Sequence, residues 1–62
     1  MNKNIIEKFE HKNVKLILNN TGFVLYGYIN AVFDDCIEFK TKQKVSYIEF
    51  IAIAGIEPPG DQ

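Results

Sequence analysis

The sequence has little of the chemistry that usually braces or anchors a small protein. It contains one cysteine and one histidine, Cys36 and His11, so an internal disulfide and a four-ligand structural zinc site are both excluded. No apolar run approaches the roughly 18 residues that cross a bilayer, and the first residues lack the apolar segment of a signal peptide. We therefore expect a cytoplasmic protein with no membrane partner, no metal and no cofactor.

The chain of 62 residues is short for a domain that must be stable alone. A domain of this size buries only about 60% of the surface that its unfolded chain exposes. Since disulfides and zinc are excluded, association between copies is the remaining way to stabilise it. The sequence therefore predicts a homo-oligomer.

Arginine is also absent, and seven lysines against eight acidic residues leave a net charge of −1. That balance is not the electrostatic footprint of an ordinary nucleic-acid-binding protein, and we expect no DNA partner. The lysines are nevertheless clustered, because Lys40, Lys42 and Lys44 share one short segment with no acid between them. The segment is a candidate phosphate contact, although solvated surface lysines are the commoner explanation.

Residues 23–39, FVLYGYINAVFDDCIEF, contain the clearest pattern in the chain. Apolar and polar residues alternate before and after Asp34-Asp35, which predicts two strands joined by a tight acidic turn. Gly27 lies inside the first strand, where glycine is favoured mainly if a sheet bends sharply or another backbone comes close. The alternation places Tyr26 and Tyr28 together on the face opposite Gly27.

The remaining segments predict a mainly β chain. Asn4 as N-cap, with Glu7 in the first turn, favours a short helix. We place this helix at residues 5–10, a turn at 19–22, strands at about 13–19, 22–33, 36–41, 44–50 and 51–56, and an irregular tail at 58–62. One helix and five strands with tight connections predict a small, strongly bent SH3-like barrel that forms a single domain.

Short motifs mark the predicted strands and turns: Val14-Lys15-Leu16, Asn20-Thr21-Gly22, Gly27, Phe33-Asp34 and Tyr47-Ile48. Together they resemble the Sm-like proteins, and among them the bacterial host-factor Hfq branch. The step from Gly22 to Gly27 has the spacing of that family's first motif, and the resemblance covers about residues 5–57. It implies an Sm-like barrel that assembles into a ring, with a hexamer or heptamer favoured, and binds single-stranded RNA.

The second motif departs from the family pattern. The host-factor branch has Tyr-Lys-His where this chain has Tyr47-Ile48-Glu49, and its uracil-stacking aromatic is matched by Cys36. The resemblance therefore implies that the uridine pocket is largely lost, with only Tyr47 and Asp34 matching it. Because tyrosines stack bases and lysines bind phosphate, we expect RNA contacts at Tyr26, Tyr28 and Lys42. The resemblance implies two more, at Asp34 and Tyr47.

Residues 45–56, VSYIEFIAIAGI, are the most apolar stretch of the chain. Long apolar strand edges invite aggregation unless another chain covers them. We therefore predict that the strand at 46–50 pairs with the strand at 51–56 of the next copy, through Tyr47, Ile48, Phe50, Ile51 and Ile53. The five phenylalanines are expected in the core or at this interface.

No catalytic motif is present, and we do not expect an enzyme. Asp34, Asp35 and Glu38 form a carboxylate cluster, but the preference of aspartate for turns explains most of it. Cys36 beside them is expected to remain a thiol. Two functions stay open: a ring that binds single-stranded RNA in post-transcriptional regulation, and an Sm-fold or SH3-like oligomer that is a structural or protein-interaction part without RNA. We favour the first.

Overall fold

The computed structural model describes residues 1–19 and 21–60 of the chain. The predicted turn at 19–22 includes Asn20, and the predicted tail includes Asp61 and Gln62, all three of which lie outside the described residues. Within the described ranges, no helix is both long enough and apolar enough to span a membrane.

Five strands form one antiparallel sheet, which confirms the mainly β fold. The strands are β1 (Asn13–Leu18), β2 (Val24–Val32), β3 (Cys36–Lys40), β4 (Val45–Glu49) and β5 (Ile53–Glu57). Their order across the sheet is β4-β3-β2-β1-β5. The strands β4 and β5 are therefore the two edges.

The helix α1 spans Lys3–Glu7 and begins earlier than the predicted 5–10. Its N-cap is Asn2 and not Asn4, because the Asn2 side chain accepts a hydrogen bond of 2.7 Å from the Asn4 backbone N–H. A helix of five residues has little stability of its own. It is held on the sheet by Ile6, whose side chain is fully buried in the core.

A 3-10 turn at Phe50–Ala52 separates β4 from β5, where the sequence predicted strands at 44–50 and 51–56. The Phe50 N–H donates to the Asp35 carbonyl oxygen at 2.9 Å, and the Phe50 side chain enters the core. The side chain of Ile53 is also buried. Phe50 and Ile53 were both predicted at the oligomer interface, but their side chains are buried in the core of a single chain. Only their backbone atoms are therefore available to contact a partner.

The sheet is curled so that its two edges approach each other. In a flat sheet of five strands the outer strands would lie about 19 Å apart, at roughly 4.8 Å per strand spacing. The chain passes from the end of β4 to the start of β5 through the 3-10 turn alone. Four residue steps reach about 14 Å at most, so this connection requires a bent sheet.

Gly27 lies where the bend brings β2 and β3 into close contact. A Cβ atom at this position would lie 2.5 Å from the Lys40 carbonyl oxygen and 2.9 Å from two atoms of the Phe39 ring. The glycine is required by lack of space, since it is not among the glycines with positive φ. This agrees with the close approach predicted at Gly27 from its place inside a strand.

The core lies on the inner face of the curled sheet and is completed by the helix and the 3-10 turn, with Ile6, Val14, Leu16, Ile29, Ile37, Phe39, Phe50 and Ile53 as its buried side chains. Phe9 packs partly against this core, as expected. Phe23 and Phe33 do not, because they are 66% and 44% exposed. A bulge between Ile29 and Ala31 shifts the β2–β3 register inside the strand that the sequence predicted at 22–33.

Candidate nucleic-acid interface

An open groove of about 730 Å³ crosses the outer side of β1, β2 and β3. Its lining includes Asn13 from β1, Tyr26 and Tyr28 from β2, Lys40 at the end of β3, and Lys42 from the turn that follows. Three of the five predicted RNA contacts, Tyr26, Tyr28 and Lys42, therefore lie together.

Strand alternation places the two phenols of the groove side by side. Only Gly27 separates Tyr26 from Tyr28, so both side chains leave β2 on the same face. In the strand register, Tyr28 lies between Asn13 of β1 and Lys40 of β3. Tyr26 is 59% exposed and Tyr28 is half-buried, so part of each ring is open to solvent.

The turn after β3 is fixed by Thr41. The Thr41 hydroxyl accepts hydrogen bonds from the backbone N–H groups of Gln43 and Lys44 at 3.3 and 3.2 Å. Neither Lys40 nor Lys42 forms an ion pair with a carboxylate among the residues that the structure describes, whereas Lys3 and Lys15 each do. The groove thus presents two ammonium groups that an anion can bind.

The other two predicted contacts, Asp34 and Tyr47, do not line the groove. The Tyr47 hydroxyl donates to Glu38 Oε1 at 3.2 Å, and the ring centre of Tyr47 lies 6.4 Å from that of Phe33. The nearby Glu38 charge raises the pKa of Tyr47 above its ordinary value of 10.0. The fully exposed Asp34 carboxylate accepts a hydrogen bond from Lys3 Nζ at 3.1 Å.

Charge is segregated along the hairpin formed by β3 and β4. Lys40 and Lys42 lie at the groove end, while Asp35 and Glu49 lie at the other end. Glu38 lies midway, two residues from Lys40, and accepts a hydrogen bond from Asn30 of the groove. A strand of five residues spans about 16 Å, which is roughly twice the Debye length of about 8 Å at physiological salt. Asp35 and Glu49 are therefore screened from the two groove lysines, whereas Glu38 is not.

Cys36 does not provide an activated nucleophile. Partial burial raises the pKa of its thiol, and the carboxylates of Asp35 and Glu49 raise that pKa further. Little thiolate is then present at neutral pH. In residues 1–19 and 21–60, no group of three His, Cys, Asp or Glu side chains is placed to hold a metal ion.

The groove also contains residues that the sequence did not indicate, Asn13 and Pro59. Asn13 could have been inferred, because antiparallel pairing of β1 with β2 places it opposite Tyr28. Pro59 follows the last strand, and its place in the groove depends on the path of the tail. The sequence contains no local signal for that path.

The chain matches no known family model, no curated protein and no solved structure. The grouping of Tyr26, Tyr28, Lys40 and Lys42 in one groove is therefore the observation on which its function is best argued.

Proposed function

We propose that this protein is an Sm-like ring protein that binds single-stranded RNA, as a factor in post-transcriptional regulation. The groove that contains Tyr26, Tyr28, Lys40 and Lys42 is the proposed RNA surface. The single observation that carries the proposal is that two aromatic side chains and two lysines line one groove; within residues 1–19 and 21–60, these lysines form no ion pair and no lining residue is acidic.

The chemistry of the groove fits a single strand better than a duplex. Bases of a single strand are unstacked and can lie on Tyr26 and Tyr28, at roughly 1–3 kcal/mol for each stacked base. Lys40 and Lys42 then contact the phosphates on either side of those bases. Because only a few cations contribute in each copy, affinity depends on stacking and on repetition of the groove around a ring.

Assembly is supported by the two edges of the sheet. The strands β4 and β5 each have one free hydrogen-bonding edge, which pairs with no other strand in the described part of the chain. An unpaired edge has a row of backbone donors and acceptors that a second chain can satisfy. We propose that β4 of each copy pairs with β5 of the next copy, so that the protein forms a ring that is a hexamer or a heptamer.

The experiment that tests RNA binding is fluorescence anisotropy with labelled hexanucleotides. Adenine-rich RNA is expected to bind in a salt-dependent way, because a purine offers the larger surface for stacking on Tyr26 and Tyr28. Uridine-rich RNA is expected to bind only weakly, since the resemblance implies that the uridine pocket is largely lost. Tyr26→Ala should lower affinity about tenfold or more, as expected for one lost stacking contact. Phe23→Ala is the matched control, because Phe23 is an equally exposed aromatic that does not line the groove.

A second pair of variants separates phosphate contacts from base contacts. Lys42→Ala should weaken binding of all sequences about equally and flatten the salt dependence. The control is Lys8→Ala, since Lys8 is an exposed lysine outside the groove. No anisotropy change for any sequence at low salt would contradict the proposal.

The second candidate function is a structural or protein-interaction oligomer without RNA. It is favoured by the exposed side chains of Phe23 and Ile51, which are 66% and 78% exposed. The segments that carry them are joined by hydrogen bonds from Asn19 to the carbonyl groups of Ile51 and Ala52. An assembled protein that fails to change the anisotropy of every oligonucleotide would favour this candidate.

A further inference from the structure

Asn30 is the last of the groove side chains that β2 provides. Tyr26, Tyr28 and Asn30 follow one another at steps of two residues and all line the groove. The strand register skips Asn30, because Ile29 and Ala31 pair with successive residues of β3. A bulge of this kind commonly turns a side chain towards a site. The exposed side chain of Asn30 is therefore placed at the end of the row of tyrosines.

The neighbouring carboxylate determines which way the Asn30 amide faces. Asn30 Nδ2 donates to Glu38 Oε2, and the Tyr47 hydroxyl donates to Glu38 Oε1 at 3.2 Å. A carboxylate accepts hydrogen bonds and donates none, so turning the amide over would place its oxygen against another acceptor. The contact with Tyr47 also restrains Glu38 from turning away. The Asn30 amide is therefore held with its nitrogen towards Glu38.

This orientation leaves the carbonyl oxygen of the amide for a ligand. Within residues 1–19 and 21–60, the Asn30 amide is hydrogen-bonded to Glu38 alone. Its Oδ1 atom is an acceptor, so the group that approaches it must be a donor. That group belongs to a base and not to a phosphate, because the adjacent Glu38 carboxylate repels an anion. The phosphates are attracted to Lys40 and Lys42 instead.

Bases differ in whether they offer such a donor. Adenine and cytosine have an exocyclic amino group, whereas uracil has a carbonyl oxygen where cytosine has its amino group. Same-face neighbours on a strand lie about 7 Å apart, so the edge of a base stacked on Tyr28 comes within hydrogen-bond reach of Asn30. An amino group there donates to Asn30 Oδ1. A carbonyl oxygen there meets a second acceptor.

We infer that Asn30 selects bases that have the exocyclic amino group of adenine or cytosine, and that Glu38 is the positioning residue that holds the Asn30 amide for this contact. The inference rests on the proposed binding of RNA in the groove. It gives that groove a chemical preference in addition to stacking.

Analogues that lack only the amino group test this preference directly. Fluorescence anisotropy would compare hexanucleotides of adenosine with those of purine riboside, and hexanucleotides of cytidine with those of 2-pyrimidinone riboside. The ring system is the same within each pair, so stacking is nearly the same. The strand with amino groups should bind about threefold tighter or more, as expected for one neutral hydrogen bond. Asn30→Ala should abolish this ratio while the affinity for the analogues is kept.

The role of Glu38 is tested by the same ratio. Glu38→Gln should lower the ratio towards one, because a glutamine amide accepts or donates and so lets the Asn30 amide turn over. Loss of the Glu38 charge strengthens the binding of every strand alike, which leaves the ratio unaffected. The matched control is Glu49→Gln, since Glu49 lies on the same hairpin at the position opposite Cys36. This variant should keep the wild-type ratio.

The outcomes separate the inference from the RNA binding on which it rests. Wild-type protein that binds each pair of strands equally would overturn the inference and leave RNA binding standing. A ratio that survives in Asn30→Ala would overturn it as well, and a ratio that survives in Glu38→Gln would overturn the positioning role of Glu38. No binding of any strand at low salt would overturn both the inference and the proposed function.

Discussion

Replacing Gly27 by alanine is expected to destabilise the fold through overpacking. The new Cβ atom would lie 2.5 Å from the Lys40 carbonyl oxygen and 2.9 Å from the Phe39 ring, where contacts of 3.4 Å or more are normal. The carbonyl belongs to β3 and the ring is fully buried, so neither neighbour can move away freely. Such overpacking costs about 1–3 kcal/mol, against a gain of about 0.4–1 kcal/mol when glycine is removed from the unfolded chain.

Thermal unfolding followed by circular dichroism measures this cost. At roughly 4–8 °C per kcal/mol for a small domain, Gly27→Ala should lower Tm by about 4–20 °C, and Gly27→Val by more. Gly55→Ala is the matched control, because among the described residues its Cβ would meet Ile17 alone, at 3.5 Å or more. The mass of each variant is recorded alongside, so that lost assembly is not mistaken for lost chain stability. Coincident melts of Gly27→Ala and wild type would refute the close approach at Gly27.

Two further predictions concern the edge of the sheet. Phe50→Asp should unfold the chain, because loss of a buried aromatic side chain alone costs about 3–5 kcal/mol, which is close to the whole stability of a domain this small. The control is Ile51→Asp, which should keep the circular dichroism spectrum because Ile51 is 78% exposed. An unfolded Ile51 variant or a folded Phe50 variant would contradict the burial described. The raised pKa of Tyr47 means that its neutral phenol stabilises the folded state below pH 10.0 and that this contribution is lost as the pH rises through the folded-state pKa. Glu38→Gln should therefore lower the pH at which Tyr47 ionises in an ultraviolet absorbance titration, with Tyr47→Phe as the blank, and an unchanged midpoint would exclude Glu38 as the cause.

The alternation of apolar and polar residues was sufficient to predict those parts of the structure that residues close in sequence determine. The alternation around Gly27 predicted β2, the shared face of Tyr26 and Tyr28, and the close approach at the glycine. The helix start was misplaced because both Asn2 and Asn4 are good caps, and the structure uses Asn2 in a helix whose Ile6 side chain is buried against the sheet. Sequence alone carries no information about that docking.

Long-range contacts decided what the sequence could not show. The 3-10 turn depends on the hydrogen bond from Phe50 to Asp35, which joins positions far apart in the chain. The separation of Tyr47 from the groove depends on the order of strands across the curled sheet. Tyr26 and Tyr28 were predicted from residue type and Tyr47 from the family resemblance. Only the structure showed that the first two lie beside lysines and that Tyr47 lies beside Glu38.

The central claim, an assembly that presents RNA-binding grooves, is tested most directly by solution mass. Size-exclusion chromatography with light scattering and absorbance detection would be run on the protein with and without an adenine-rich RNA. The account predicts a particle of six or seven copies of the 7.1 kDa chain, with the RNA eluting in the same peak. A monomeric mass at micromolar concentration, with the RNA eluting separately, would contradict it.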